Sequence, residues 1–84
     1  QVNSKQSLLL YPNPVADGFV TLHLPVNKGN TNELSITDIS GKIIYSKLNC
    51  VAVESIDFTS YSTGLYIVKF VCNNESYVSK IIKK

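Results

Sequence analysis

The clearest structural signal in this chain is the stretch Gly64-Leu65-Tyr66-Ile67-Val68-Lys69-Phe70-Val71-Cys72-Asn73-Asn74. Apart from Lys69, the run Leu65 to Val71 is apolar on both faces, as expected of a central strand packed between neighbours. Gly64 opens the run, and we expect it to have a positive φ, which glycine adopts at little steric cost. Asn73-Asn74 tolerates left-handed dihedral angles and predicts a tight turn into a last strand, Glu75 to Ile82. The stretch therefore predicts a hairpin with a central strand.

Further apolar stretches precede this hairpin at spacings of roughly ten residues, separated by turn-forming residues. Together with the hairpin, the predicted strands are residues 8–11, 19–24, 33–38, 42–48, 51–58, 65–71 and 75–82. Ser40-Gly41 joins the third and fourth in a second hairpin. Pro12 and Pro14 close the first, because proline removes a backbone donor from the ladder. This pattern predicts an all-β, seven-stranded antiparallel sandwich.

Length and composition indicate one small folded domain. The chain has 84 residues, of which 44% are hydrophobic and 17% charged, so it can form a packed core and lies outside the composition of disordered segments. We expect this domain to span residues 8–84. Residues 1–7 have neither an initiator Met nor an apolar signal region, so we expect them to be a flexible leader that links the domain to an upstream part of a longer protein.

Several function classes are disfavoured by the residue types present. All eight cations are scattered lysines and the net charge is only +2, which argues against a nucleic-acid partner. No apolar run approaches the roughly 20 residues of a membrane-spanning helix. His23 is the single histidine and lies on the outward face of an alternating strand, so neither a catalytic triad nor a zinc site is predicted. We expect no enzyme activity, no cofactor and no small-molecule substrate.

Two cysteines, Cys50 and Cys72, leave two alternatives open. Each follows a predicted strand, and alternating strand directions place both at the same end of the sandwich. They could form a disulfide in an oxidising compartment, provided that their Cα atoms lie within about 7 Å. The alternative is a pair of buried free thiols.

Two groups of polar and aromatic residues have structural and functional interpretations. The Asp38 carboxylate is expected to accept hydrogen bonds from the amides of the turn that ends at Gly41, a structural role rather than a catalytic one. The five tyrosines could form a platform that stacks on sugars, although half-burial at sheet edges is the more ordinary role. They are Tyr11, Tyr45, Tyr61, Tyr66 and Tyr77.

Four motifs together resemble one protein family. They are Leu10-Tyr11-Pro12-Asn13-Pro14, Asp38-Ile39-Ser40-Gly41-Lys42-Ile43-Ile44, Gly64-Leu65-Tyr66-Ile67-Val68 and Lys80-Ile81-Ile82-Lys83-Lys84. In order and spacing, these motifs resemble the type A C-terminal sorting domain of the type IX secretion system of Bacteroidetes-type bacteria. The resemblance covers about Leu8 to Lys84, and one departure is Tyr61, where the pattern usually has a leucine.

The resemblance implies an Ig-like sandwich at the end of a secreted cargo protein. Its expected partners are the outer-membrane translocon, which reads the domain, and a sortase-like peptidase, which removes it by a cut near its N-terminal side, where residues 1–7 lie. The expected destination is the medium or the cell surface, reached through the periplasm and outer membrane. The alternative from another class is an Ig-like adhesion or carbohydrate-binding accessory module.

We expect one of the four motifs to be recognised by the export machinery and the others to maintain the fold. The end of the chain, Lys80, Ile81, Ile82, Lys83 and Lys84, is expected to be the signal that is read. The remaining motif residues are expected to be mainly structural, namely Tyr11, Pro12, Asn13, Pro14, Asp38, Gly41, Lys42, Gly64 and Tyr66. In the competing interpretation, the isoleucines complete the core and exposed lysines protect a sheet edge from aggregation.

Alternation along the last strand separates these side chains. It places Tyr77, Ser79, Ile81 and Lys83 on one face and Val78, Lys80, Ile82 and Lys84 on the other.

Overall fold

A computed structural model describes residues 8–16, 18–26 and 31–84. The expected leader and most of the polar loop after Val26 lie outside the described residues. The described ranges form strands and turns without a helix. The strands are β1 (Leu9–Tyr11), β2 (Phe19–His23), β3 (Asn32–Thr37), β4 (Ile43–Leu48), β5 (Val53–Asp57), β6 (Gly64–Cys72) and β7 (Glu75–Lys83).

The strands form two antiparallel sheets, and this arrangement confirms the predicted all-β, Ig-like sandwich. One sheet has the order β1-β2-β5 and the other the order β4-β3-β6-β7. Both predicted hairpins are present, because β3 pairs with β4 and β6 pairs with β7. β6 lies between β3 and β7, so the run that is apolar on both faces forms a central strand, as its composition predicts.

Turn residues adopt the backbone angles that their chemistry favours. Asn73 and Asn74 have φ values of 53° and 65°, which gives the two-residue turn that matches the twist of a hairpin. Gly64 has a φ of 154°, which confirms the positive φ expected there. Both interpretations rest on local sterics, which is why sequence alone could supply them.

Each strand differs from its predicted bounds by one or two residues at one end or both, and three of these differences have a cause in the observed contacts. β1 begins at Leu9, because the buried Leu8 leaves the ladder and its N–H donates to the Ser79 hydroxyl at 2.7 Å. β6 continues to Cys72 and β7 continues to Lys83, because the two strands stay in register along their whole length, from Gly64 opposite Lys83 onward. Cys72 is therefore the last residue of a strand rather than the residue after one.

The core fills the space between the sheets. Buried side chains alternate with more exposed ones along β2, β3, β5 and β6, so that each sheet turns a mainly apolar face toward the other. The largest fully buried side chains are Phe58, Phe70, Leu22, Leu34, Ile36, Ile56 and Ile81.

An ion pair joins the two sheets where β4 and β5 face each other. Lys47 Nζ lies 3.0 Å from Glu54 Oε1, and the Val51 N–H donates to Glu54 Oε2 at 2.9 Å. Burial alone would raise the pKa of Glu54, but the Val51 N–H and the Lys47 ammonium together hold that pKa below its ordinary value.

Candidate functional site

The proposed signal residues Lys80 to Lys83 lie in β7 and Lys84 directly follows it, and the structure divides them between two faces. Ile81 is fully buried in the core, whereas Ile82 is 48% exposed on the opposite face. Lys80 and Lys84 share the outward face with Ile82 and are exposed. The alternation expected from the sequence is therefore correct, and Ile81, not Ile82, completes the core.

Lys83 has a structural position, and the expectation that it is exposed is wrong. Only 7% of the residue is exposed, and its Nζ donates a hydrogen bond of 3.0 Å to the backbone carbonyl of Tyr61. The reason is geometric: Lys83 lies on the inward face, where its apolar stem packs and its ammonium reaches a carbonyl. The Tyr61 ring packs against Phe58, with ring centroids 4.9 Å apart, so this hydrogen bond anchors β7 to an aromatic cluster.

The Tyr-Pro-Asn-Pro motif holds the outer edge of β7. The Asn13 side-chain amide hydrogen-bonds to β7 as the backbone of a neighbouring strand would. Its Nδ2 donates to the Lys80 carbonyl at 2.9 Å, and its Oδ1 accepts from the Ile82 N–H at 3.0 Å. Val15 continues this pairing, because its N–H donates to the Ile82 carbonyl at 2.8 Å and its carbonyl accepts from the Lys84 N–H at 2.9 Å. The first and last motifs of the chain thus form one unit.

The middle motifs meet at the same end of the sandwich as Lys83. In the turn after β3, Asp38 Oδ1 accepts hydrogen bonds from the Ser40 hydroxyl at 2.6 Å and from the Ser40 and Lys42 N–H groups, both at 3.0 Å. The Ser40 hydroxyl bond is the main cause that holds the Asp38 pKa below its ordinary value, and the backbone donors act in the same direction. The Tyr66 hydroxyl donates to the Ser62 carbonyl at 2.6 Å.

A cleft of about 370 Å³ separates the Asp38 turn from the segment that leads into β6. Asp38, Gly64 and Tyr66 line part of it, so the two middle motifs are brought together. The hydrogen bonds of Asp38 and Tyr66 stay within their own turn and loop, which is a scaffold arrangement. Gly41 has a φ of 92° and completes the same turn.

Tyr11 lies on the outer face of the three-stranded sheet, away from β7. Its hydroxyl forms a hydrogen bond of 2.8 Å with His23 Nε2, and the two ring centroids are 5.5 Å apart. Leu9, Phe19 and Val53 are also exposed on this face. The sequence placed His23 outward correctly but did not reveal its partner, because the contact depends on the register between β1 and β2.

The structure contains Cys50 and Cys72 as buried free thiols, the alternative that the sequence left open. Both lie at one end of the sandwich, where Asn32 connects their surroundings. Asn32 is opposite Cys72 in the ladder, and its side chain accepts from the Cys50 N–H at 2.7 Å and donates to the Cys50 carbonyl at 3.3 Å. Burial raises the pKa of the Cys50 thiol.

The outward face of β7 continues onto β6. Lys69 is exposed there and lies opposite Val78, while Ile67 lies opposite Lys80. Lys69 lies outside the four family motifs, so the motifs did not identify it as a candidate recognition residue. The alternation of β6, combined with the Asn73-Asn74 turn that fixes the register, would have placed it beside Lys80.

The described part of the chain contains no group of three or more His, Cys, Asp or Glu side chains that could hold a metal ion. Within those same ranges, no helix has the length and apolar character needed to cross a membrane.

Comparison with known proteins identifies the family. A search of curated proteins finds no match. The family model described as "Secretion system C-terminal sorting domain" matches residues 9–84, which is most of the chain. Sorting domains of this kind direct export by type IX secretion, through the outer membrane to the cell surface or the medium. The chain therefore belongs to the secretion system C-terminal sorting domain family.

Proposed function

We propose that this domain acts without catalysis, as the signal by which the type IX translocon recognises a cargo protein, and that the outward face of β7 is the part that is read. The observation that supports this proposal is the exposure of Lys80, Ile82 and Lys84 at the end of β7, where β6 pairs with one edge and Asn13 and Val15 hydrogen-bond to the other. Ile82 in particular keeps 48% of its surface exposed, although the inward position beside it is fully buried.

The other motif residues support the proposal because their contacts give them structural roles within the domain. Asn13 secures the edge of β7, Asp38 closes a turn and Tyr66 bonds to a loop carbonyl. Lys83 joins this scaffold through the Tyr61 carbonyl. These contacts fix the position and the twist of β7, so that its outward side chains form a rigid surface on regular secondary structure.

We further propose that a sortase-like peptidase cuts within residues 1–7 and so separates the domain from an upstream cargo protein. The expected cut lies outside the described residues. Leu8 supports a cut before the domain begins, because Leu8 is only 8% exposed and its backbone exchanges hydrogen bonds with the Ser79 hydroxyl. A protease needs an exposed, extended chain, which Leu8 does not offer.

A reporter fusion tests the proposed function. The 84-residue chain is fused to the C-terminus of a reporter with a periplasmic signal peptide and expressed in a bacterium that has the type IX system. We expect the reporter in the medium or at the cell surface, and retention in the periplasm when the translocon gene is deleted. Retention in both strains would contradict the proposal.

One observation favours a second candidate, a carbohydrate-binding accessory module. Tyr11 and Phe19 are 48% and 56% exposed on the flat outer face of the three-stranded sheet, and aromatic rings in such positions can stack on sugars. This candidate predicts retention of the domain on a polysaccharide affinity gel and loss of retention in Phe19→Ser. Export in the fusion assay without retention on such gels would eliminate it.

A further inference from the structure

The outer face of the β6-β7 hairpin combines positive charge with aliphatic surface on two neighbouring strands. Lys69 lies opposite Val78, and Lys80 lies opposite Ile67, so the two lysines are diagonal neighbours. Side chains in this relation are about 7–8 Å apart at their Cα atoms, within reach of one ligand. Lys84 follows Lys80 at four residues on the same face.

The positive charge on this face is not neutralised within the described residues. The ion pair found there joins Lys47 to Glu54, which lie elsewhere in the sandwich. Glu33 of β3 is the carboxylate that the described residues place on this face; it lies opposite Val71 of β6 and diagonal to Lys69, but the two side chains form no ion pair. Like charges on neighbouring strands oppose each other, so the proximity of Lys69 to Lys80 does not by itself stabilise the fold.

Protection of a sheet edge does not explain Lys69. Lysines on edge strands prevent the pairing of exposed backbone groups with other chains, and this role fits Lys80. Lys69, however, lies in β6, which has β3 on one side and β7 on the other. Its backbone groups are paired on both sides, so its charge protects no edge.

We propose that recognition uses the folded face formed by β6 and β7, with Lys69 beside Lys80, and that the receptor is an acidic protein surface with apolar side chains. This inference rests on the proposed function and extends it from a linear terminal motif to a discontinuous surface. The receptor's carboxylates would bind the lysines, and its apolar groups would cover Ile82 and the half-buried Ile67.

The number of charges favours a protein over a membrane surface as the partner. Recognition of anionic lipid by charge generally uses a cluster of about four to eight lysines or arginines. This face has Lys69, Lys80 and Lys84, with Glu33 opposing them. A protein can compensate for the smaller charge by placing each carboxylate opposite one ammonium group.

The test uses charge variants of Lys69 in the reporter fusion. Lys69→Gln removes one positive charge, Lys69→Glu reverses it and Lys69→Arg keeps it. The matched control is Ser55→Glu, which adds one negative charge at an exposed strand position on the other sheet. Circular dichroism on the purified domains checks that each variant folds with the melting temperature of the parent chain.

We expect Lys69→Glu to reduce the exported fraction by about tenfold or more, since like charges in an interface are strongly unfavourable. Lys69→Gln should have a smaller effect, and Lys69→Arg and Ser55→Glu should export normally. Normal export of a folded Lys69→Glu domain would overturn the inference. If the parent fusion is itself not exported, it is the proposed function that fails.

Vesicles distinguish the two kinds of partner. The purified parent domain is sedimented with vesicles that contain anionic phospholipid, at physiological ionic strength, beside Lys69→Glu. We expect neither protein to sediment. Binding of the parent domain that Lys69→Glu abolishes would assign the face to a lipid surface and overturn the proposal of an acidic protein receptor.

Discussion

The two final lysines should differ in their effect on stability, although they are adjacent in the sequence. Lys83→Met keeps an apolar stem but removes the ammonium group that donates to the Tyr61 carbonyl at 3.0 Å. A hydrogen bond from a charged group contributes about 1.5–3 kcal/mol, and its loss leaves the carbonyl unpaired beside a residue that is only 7% exposed. In a domain of this size, we expect the Tm to fall by about 6 °C or more.

Lys84→Met is the matched control, because Lys84 is exposed and contacts Val15 through its backbone N–H, which the substitution retains. Its free energy of unfolding should change by less than about 0.5 kcal/mol. Urea unfolding of both variants measures the difference, with equal m-values as the check that the unfolded states are comparable. Equal midpoints for the two variants would refute the structural role assigned to Lys83.

Three further predictions concern the scaffold. Asn13→Ala removes both side-chain bonds to β7 and should lower the free energy of unfolding in urea by about 1–2 kcal/mol, with Asn13→Asp intermediate; an unchanged midpoint would contradict the edge-holding role. Folding lowers the pKa of Glu54 from its ordinary value of 4.5, so the ionised carboxylate stabilises the fold above that pH, and this stabilisation is lost as the pH falls through the folded pKa. Glu54→Gln should therefore reduce the loss of unfolding free energy on the acid side of its pH profile. Parallel profiles for the two proteins would refute this. The buried thiols of Cys50 and Cys72 should react slowly with an aromatic disulfide reagent in the native protein and fully in denaturant, whereas no reactive thiol in the unfolded, unreduced protein would establish the disulfide instead.

Much of the fold could be predicted from the sequence, because its determinants are local. The apolar run of β6 identified a central strand, and Asn73-Asn74 identified the turn whose positive φ values the structure contains. Alternation along β7 assigned Ile81 and Ile82 to opposite faces correctly once the register of the hairpin was fixed.

The contacts that define the candidate site depend on residues far apart in the chain, and these could not be predicted. Nothing near Asn13 indicates that its amide pairs with Lys80 and Ile82, because that contact requires the segment after β1 to lie beside the last strand. The burial of Lys83 was missed for the same reason: charge suggested exposure, whereas its inward position and the Tyr61 carbonyl provide a partner inside.

We propose that the translocon reads the outward side chains at the end of the chain, Lys80, Ile82 and Lys84, while the inward ones maintain the fold. The most direct measurement is export of the reporter fused to a domain carrying Lys80→Ala and Lys84→Ala, compared with the parent fusion in the same strain. Both lysines are exposed, so the double variant should keep the Tm of the parent domain to within a few degrees. We expect this folded variant to remain in the periplasm, whereas export at the level of the parent fusion would contradict recognition through these side chains.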